Sequence, residues 1–398
     1  MKKFITLHFA DAVIKSLALV SKDPVIEFIN TEDVRSRVLA QDLFCVKNLP
    51  SYNNAALDGF ALHVSDGGKT LLIQDTIYAG MNCEEKLKED HCFKIMTGAK
   101  VPGGIDTIVP FEDAVTFDDT SVKLAKNLKK GNALRLKGEE VCEGALLLAK
   151  GEMLNARSIA LLASQGITHV PVYKKVSIGI FSSGDELKEP WQNASEDQIY
   201  NINAQSIQSL LGEHSFEATY CGVMPDNLEQ CTNYLATMKR FDVLITSGGI
   251  SMGEADYIEQ ALEANGFESS FHGINIKPGK PTMMGKMGET IVCSLPGNPL
   301  AAFVNAFLFL LPVIKKLQGA TNFAHKSVLA NNATSFKAKT GRTNIILGKL
   351  ENNRFYVSHE NRYGSGMITP LVQSNAILII DTQTGVIEAD ELLEIILF

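Results

Sequence analysis

Val176-Ser177-Ile178-Gly179-Ile180-Phe181 is a short apolar run that empties into Ser182-Ser183-Gly184-Asp185-Glu186, where two hydroxyls, a glycine and two carboxylates share one turn. The pattern recurs further along the chain. Asp242–Thr246 runs into Ser247-Gly248-Gly249-Ile250-Ser251-Met252-Gly253-Glu254-Ala255-Asp256, and Thr290–Cys293 into Ser294-Leu295-Pro296-Gly297-Asn298-Pro299. Glu217–Val223 supplies a fourth β-like run, while Ala204–Leu211 and Leu228–Met238 carry the apolar spacing of helices. Strands alternating with helices predict a central, doubly wound, mostly parallel α/β domain over 174–320. In such a sheet ligands bind outside the carboxyl ends of the strands, so the loaded turns are the candidate site.

Outward from this core the texture changes. Residues 1–173 read as a β-rich N-terminal region with an inserted subdomain at about 46–145, where Pro50-Ser51-Tyr52-Asn53-Asn54 and Gly103-Gly104 separate runs such as Thr70–Ile73 and Thr107–Val109. The opening MKKFITLHFADAVIK is predicted as the first helix, because Asp11 interrupts any apolar core of signal-peptide length. Ala156–Gly166 reads as a helix and Thr168–Tyr173 as the strand that closes the region. Residues 321–398 return to short strands, including Asn344–Leu347, Phe355–Ser358 and Ala376–Ile380, and predict a small β-barrel-like C-terminal domain.

Composition narrows the function classes. A chain of 398 residues with 45% hydrophobic and 21% charged residues builds more than one packed core. Its net charge of −8, without a Lys/Arg-rich run, argues against nucleic acid as a partner. Seven cysteines with no CxxC pair suggest neither a disulfide framework nor a zinc ribbon, and fit a reducing cytoplasm. The most apolar stretch, Leu300 to Ile314, contains Asn305 and Pro312 and falls short of the ~20 residues that span a bilayer. It is expected to be a buried helix, with no membrane association.

The turns offer a specific chemistry. One capping residue before a helix would account for a single Ser or Asp at Ser182–Glu186, but not for the second carboxylate. Backbone N–H groups in the Ser247–Gly253 loop can surround a phosphate, although tight turn packing alone also selects glycine. No lysine follows in GxxxxGK[ST] spacing, so this is not a P-loop. Pro296, Gly297, Asn298 and Pro299 form either a rigid turn before the buried helix or a place of close ligand approach. Lys277 and Lys280, in Lys277-Pro278-Gly279-Lys280-Pro281, put two ammonium groups on a stiffened loop suited to an oxyanion. Asp185, Glu186, Asp226 and Asp256 are the natural oxygen ligands for a divalent magnesium ion, although Asp226 taken singly reads first as a structural helix N-cap in Pro225-Asp226-Asn227.

Ser183-Gly184-Asp185-Glu186-Leu187, Thr246 through Gly253, Lys277 through Pro281 and Leu295 through Pro299 together resemble the motifs of the molybdopterin molybdenumtransferases, the MoeA-type family related to the E domains of gephyrin and the plant molybdenum insertase. Asn54 through Ala61, Ile95-Met96-Thr97-Gly98-Ala99 and Arg135 through Glu140 extend the resemblance over nearly the whole chain. The resemblance implies insertion of molybdate into adenylylated molybdopterin with release of AMP and a divalent cation, Mg²⁺, as cofactor. It implies substrate binding by Ser183, Gly184, Ser247, Gly248, Gly249, Ser251 and the Pro296–Pro299 turn, and molybdate binding by Lys277 and Lys280. Asp185, Glu186 and Asp256 would hold the metal, with Glu186, Asp226 and Asp256 acting in catalysis. It further implies a homodimer with composite sites, in which Asp58 and Thr97 act in trans, and a molybdopterin adenylyltransferase as a possible protein partner.

Four positions depart from the family pattern. Ala55 and Phe60 stand where a serine and a tyrosine are usual, which leaves Asp58 as the functional member of that motif. Ala301 replaces a serine after the Pro-Gly-Asn-Pro turn, and Leu347 occupies the place of a common arginine in the C-terminal domain. A non-catalytic dimeric scaffold of the same architecture and a molybdopterin adenylyltransferase are the competing functions. The first is disfavoured by the intact acids and glycine loops, and the second by the N-terminal insertion that carries Asp58 and Thr97.

Overall fold

The computed structural model describes residues 6–224, 227–249 and 257–398. At its centre lies a six-stranded sheet in the spatial order Ala218–Met224, Ile178–Ser183, Val243–Ser247, Thr290–Leu295, Met283–Met287, Phe267–His272. The first four strands are parallel, and the last two pair antiparallel. The Met283–Met287 and Phe267–His272 strands were not expected from the sequence. Their side chains alternate poorly, and a glycine at 285 sits against the Glu268 carbonyl, where any Cβ would collide at 2.2 Å. The chain enters the sheet at Ile178–Ser183, moves to one side for Ala218–Met224, then returns across it to Val243–Ser247. That reversal is the switch point at which open α/β sheets leave a crevice.

Helices cover both faces. Asn203–Glu213 and the long apolar helix 299–317 share one core with Ile178, Ile180, Val243, Ile245 and Cys293. Leu228–Met238 and Tyr257–Ala264 pack over Phe181, Leu244 and Val292 on the other. Helix 299–317 is long and apolar enough by length and composition to cross a membrane, but 78% of its 18-residue apolar window is buried inside the protein. It contains a π-turn at Ala306–Leu310 just after Asn305, whose side chain leaves the helix to bond a neighbouring loop.

The N-terminal region opens with helix Phe9–Ala18, and strand Ile26–Asn30 pairs antiparallel with His169–Tyr173. Helix Ala156–Ser164 begins in a reciprocal cap: the Asn155 side chain accepts from the Ser158 N–H while Ser158 Oγ accepts from the Asn155 N–H. The inserted segment forms its own mixed sheet, ordered Thr107–Pro110, Gly59–Leu62, His91–Ile95, Thr70–Ile77, Ser121–Lys123, Thr116–Phe117, with apolar clusters on both faces. Ala55 and Phe60 are wholly buried in these clusters, so the two lost hydroxyls are replaced by packing. In the C-terminal region five strands close into a barrel: Thr343–Glu351, Arg354–Val357, Ser327–Asn332, Leu392–Leu397 and Ala376–Ile380, the last returning to the first. Closure leaves no free sheet edge except where Thr343 and Asn344 pair in parallel with Ile276 and Lys277 of the α/β region.

Candidate active site

Three consecutive strands of the sheet, Ile178–Ser183, Val243–Ser247 and Thr290–Leu295, deliver their carboxyl ends to one open cleft of about 1030 Å³. Ser183, Gly184, Asp185, Glu186, Ser247, Gly248, Gly249, Pro296, Gly297, Asn298 and Pro299 all line it. Eleven residues named from sequence thus meet in one place. Ser251 and Asp256 lie outside the described residues, as does Asp226. The helix cap that Asp226 was considered for is instead made by Asn227, whose side chain accepts from the Gln230 N–H at 3.1 Å.

Glycine is required where the turns touch. Gly248 adopts φ +87°, and a Cβ there would lie 2.5 Å from the Ser183 carbonyl oxygen. The Gly248 N–H in turn donates to the Leu295 carbonyl at 3.2 Å, so all three turns are in mutual contact. No helix begins at Ser182–Glu186, which removes the capping explanation for those residues. The chain continues as Leu187–Lys188, paired in parallel with Ile199–Tyr200. Asp185 and Glu186 are both exposed at the mouth of the cleft.

The sequence reading missed the two asparagines that hold this arrangement. Asn203, at the start of helix Asn203–Glu213, donates from one Nδ2 to Ser247 Oγ and to the Gly297 carbonyl, both at 2.7 Å. Its Oδ1 is buried with no hydrogen-bond partner among the described residues. Asn201 Oδ1 accepts from buried Ser182 Oγ at 3.0 Å, and its Nδ2 donates to Tyr220 OH at 2.8 Å and Glu189 Oε1 at 3.3 Å. Tyr220 itself donates to Glu189, and burial with this carboxylate pushes its phenol well above the ordinary range. The signal was present as Asn201-Ile202-Asn203 between a turn and a helix, but asparagine is common there for capping reasons alone.

A smaller cavity of about 260 Å³ opens beside the cleft and shares Pro281, Pro296 and Asn298 with it. Lys277 and Lys280 line it from one side. Their loop is fixed by the core helix: Asn305 Nδ2 donates to the Gly279 carbonyl at 2.9 Å and also to Thr282 Oγ1. Gly279 has φ +98°, and a Cβ there would stand 2.2 Å from Asn305 Nδ2. From the barrel side Arg342 lines the same cavity. Leu347 is wholly buried in the core shared with helix 299–317, so it is a packing position. The C-terminal region contributes a cation after all, five residues earlier than the arginine sought at 347. Ala301 also lines this cavity and is 1% exposed. The loop before the barrel's fourth strand closes over the helix start, with Asn298 Nδ2 donating to Ser365 Oγ at 2.9 Å.

Asp58 and Thr97 meet within the inserted sheet. Asp58 Oδ1 accepts both the Thr97 N–H and the Thr97 hydroxyl at 2.6 Å, and this pair of bonds, the hydroxyl's first, holds the carboxyl below its usual range. Both residues are exposed, and neither lines the α/β cleft of its own chain. Among the described residues no three His, Cys, Asp or Glu side chains converge as a metal-ligand cluster. Asp185 and Glu186 place two carboxylates side by side on the cleft, oxygen donors of the kind a hard divalent cation takes.

A mostly parallel α/β sheet whose switch-point crevice is lined by serines, glycines and acids, accompanied by an inserted sheet and a closed barrel, defines a multidomain α/β protein with a polar-lined cleft. Three families match it in succession: the MoeA N-terminal region (domains I and II) over residues 5–166, the domain described as "probable molybdopterin binding domain" over 179–316, and the MoeA C-terminal region (domain IV) over 330–398. A molybdopterin molybdenumtransferase of Haemophilus influenzae is 32% identical over 372 residues, covering 92% of each chain. Gephyrin of Dictyostelium discoideum is 32% identical over 329 residues, which span 71% of this chain and 45% of gephyrin. A molybdopterin biosynthesis MoeA protein from Pyrococcus horikoshii OT3 superposes with a TM-score of 0.86 at 26% identity, over 99% of this chain and 100% of that one. The chain belongs to the molybdopterin molybdenumtransferase family, a transferase family of molybdenum-cofactor biosynthesis.

Proposed function

We propose that this protein inserts molybdate into adenylylated molybdopterin, releasing AMP, as the final step of molybdenum-cofactor synthesis. The observation that carries the reading is the adjacency of the two cavities, an open cleft lined by serines, glycines and acids at the switch point and a lysine-lined one beside it sharing Pro281, Pro296 and Asn298. The first suits an extended pyrophosphate substrate, and the second a tetrahedral dianion. Ser183, Ser247, Ser251 and the amides of Gly184 and Gly249 bind phosphate oxygens, while Gly248, whose own N–H is held by the Leu295 carbonyl, lets the substrate approach the backbone closely. The Pro296–Pro299 turn positions the substrate without side-chain reorganisation. Lys277 and Lys280 capture molybdate, and the dithiolene sulfurs of the substrate receive it, so no protein cysteine is needed.

Asp185, Glu186 and Asp256 would hold Mg²⁺, which neutralises charge on the pyrophosphate when bound. Glu186, Asp226 and Asp256 are the acids we assign to catalysis. Asp58 and Thr97 complete the site from a second subunit, consistent with an acid that is exposed, ionised and remote from its own cleft. On this reading the protein is a cytoplasmic homodimer with composite sites, which a molybdopterin adenylyltransferase could supply directly. The test is to incubate purified protein with adenylylated molybdopterin, magnesium and molybdate, measuring AMP release and reconstitution of a molybdoenzyme. Both signals are expected. Substrate binding without AMP release would mark a scaffold.

A further inference from the structure

A third cavity, of about 620 Å³, lies where the two helices that start in the cleft come to an end. Helix Asn203–Glu213 begins at the cleft with Asn203 and is followed by His214, roughly 16 Å on at 1.5 Å per residue. Helix 299–317 begins at the cleft with Pro299 and places Lys315 in its last turn. His325 and Lys326, from the segment leading into the barrel, complete a group of four basic side chains around this cavity. None of the four forms an ion pair with a carboxylate among the described residues. Glu152 and Glu213 also line the cavity, but from exposed positions at its rim.

A lysine in a helix's last turn is ordinarily explained by the helix dipole. That explains Lys315 and leaves the other three. The groups repel one another: burial and Lys315 depress both His214 and His325 to about 4, while burial and Lys326 depress Lys315 in turn. His325 Nε2 is buried without a hydrogen-bond partner among the described residues. The wall behind them is aromatic, with the Phe307 ring 4.1 Å from that of His325 and 5.1 Å from that of Phe398, centroid to centroid. Two lysines with no ion-pair partner among the described residues and two histidines thus face one ligand-sized cavity, with Glu152 and Glu213 on it only from exposed positions.

We propose that this cavity binds a small phosphate-bearing molecule, its oxyanion held by Lys315, Lys326 and the two histidines and its apolar body laid against Phe307 and Phe398. The site is separate from the cleft and its lysine loop. The experiment uses the full-length protein carrying Lys277→Met, Lys280→Met and Arg342→Gln, so that the cations lining the cavity beside the cleft are gone. Thermal unfolding is followed with inorganic phosphate and with phenyl phosphate, before and after adding Lys315→Met. Phenyl phosphate should raise Tm more than phosphate does, and both shifts should disappear in the Lys315→Met protein. Should Lys315→Met fail to fold, exposed Lys326→Met carries the same comparison, with at least half of the shift lost. No shift in the cleft-lysine protein, or an equal shift with the cavity lysine replaced, overturns the proposal; a larger shift with phosphate than with phenyl phosphate overturns the aromatic part of it.

Discussion

The cleft of the α/β sheet and the Asp58–Thr97 pair of the inserted sheet hold polar groups in opposite ways. In the cleft the functional turns come from three strands, and a buried side chain on a fourth element, Asn203, ties two of them together. Remove the tertiary fold and nothing local would keep Ser247 beside Gly297. In the inserted sheet one exposed carboxylate is gripped by both the backbone and the hydroxyl of a single threonine. It needs only its own sheet. The first arrangement is a finished receptacle, and the second is a preformed acid presented outward, which is what a group acting on another subunit's substrate requires.

The largest effect should come from separating the two halves. Asp58→Ala and Asp256→Asn are each expected to lower AMP release by well over tenfold with little change in Tm, since Asp58 is exposed and Asn replaces Asp at nearly constant volume. Mixing the two inactive proteins should restore one intact site per heterodimer. With subunit exchange confirmed, a mixture that stays inactive would break the comparison, because it would place both acids in the same site of one chain.

The lysine loop sharpens the contrast within the α/β half. Each charge-assisted bond to an oxyanion contributes roughly 1.5–3 kcal/mol, so Lys277→Met or Lys280→Met should raise the molybdate concentration for half-maximal insertion by about tenfold or more. Arg342→Gln should do the same to a smaller degree, as it faces that cavity from the barrel side. An unchanged molybdate dependence in all three would make the loop a solvated connection. A more modest effect is expected for Asn203→Ala, which frees Ser247 and the Gly297 carbonyl. It should cost about 1–3 kcal/mol, read as a Tm lower by a few degrees, with a several-fold fall in turnover. A fall in Tm alone would make Asn203 structural only.

The same contrast explains what the sequence could show. The parallel strands, the helices between them and the loaded turns were legible because each is a local pattern: an apolar run, a helical spacing, a glycine where φ is positive. Leu228–Met238 and Ala376–Ile380 were placed to the residue. The antiparallel pair Phe267–His272 and Met283–Met287 was not, since Glu268 and Gly285 at its contact break the alternation that marks a strand. Asn203 and Arg342 escaped for a different reason. Their roles depend on which distant turn or cavity they reach, and an asparagine before a helix or an arginine in a turn carries no local mark of it. Leu347 shows the converse, a position singled out by comparison of motifs that the fold uses for packing.

The smallest predicted effect bears on the Asp58–Thr97 pair itself. Thr97 depresses the Asp58 pKa first through its hydroxyl and second through its backbone N–H. Thr97→Val removes the larger cause and keeps the other, so the Asp58 pKa should rise toward the ordinary aspartate value. The sign follows from which form is bonded: both donors favour the carboxylate, and losing one makes protonation easier. Whatever stability the pair contributes is present while Asp58 is ionised and is lost as pH falls through its lowered pKa, with the loss beginning at higher pH in the variant. A carbon-13 NMR titration of the Asp58 carboxyl reads the shift directly, and the acid limb of the rate profile should move the same way. Thr97→Ser keeps a hydroxyl within reach and should return both to the wild-type position. If Thr97→Val leaves the titration where it was, the hydroxyl is a spectator, and the acid presented by the inserted sheet is set by its backbone alone.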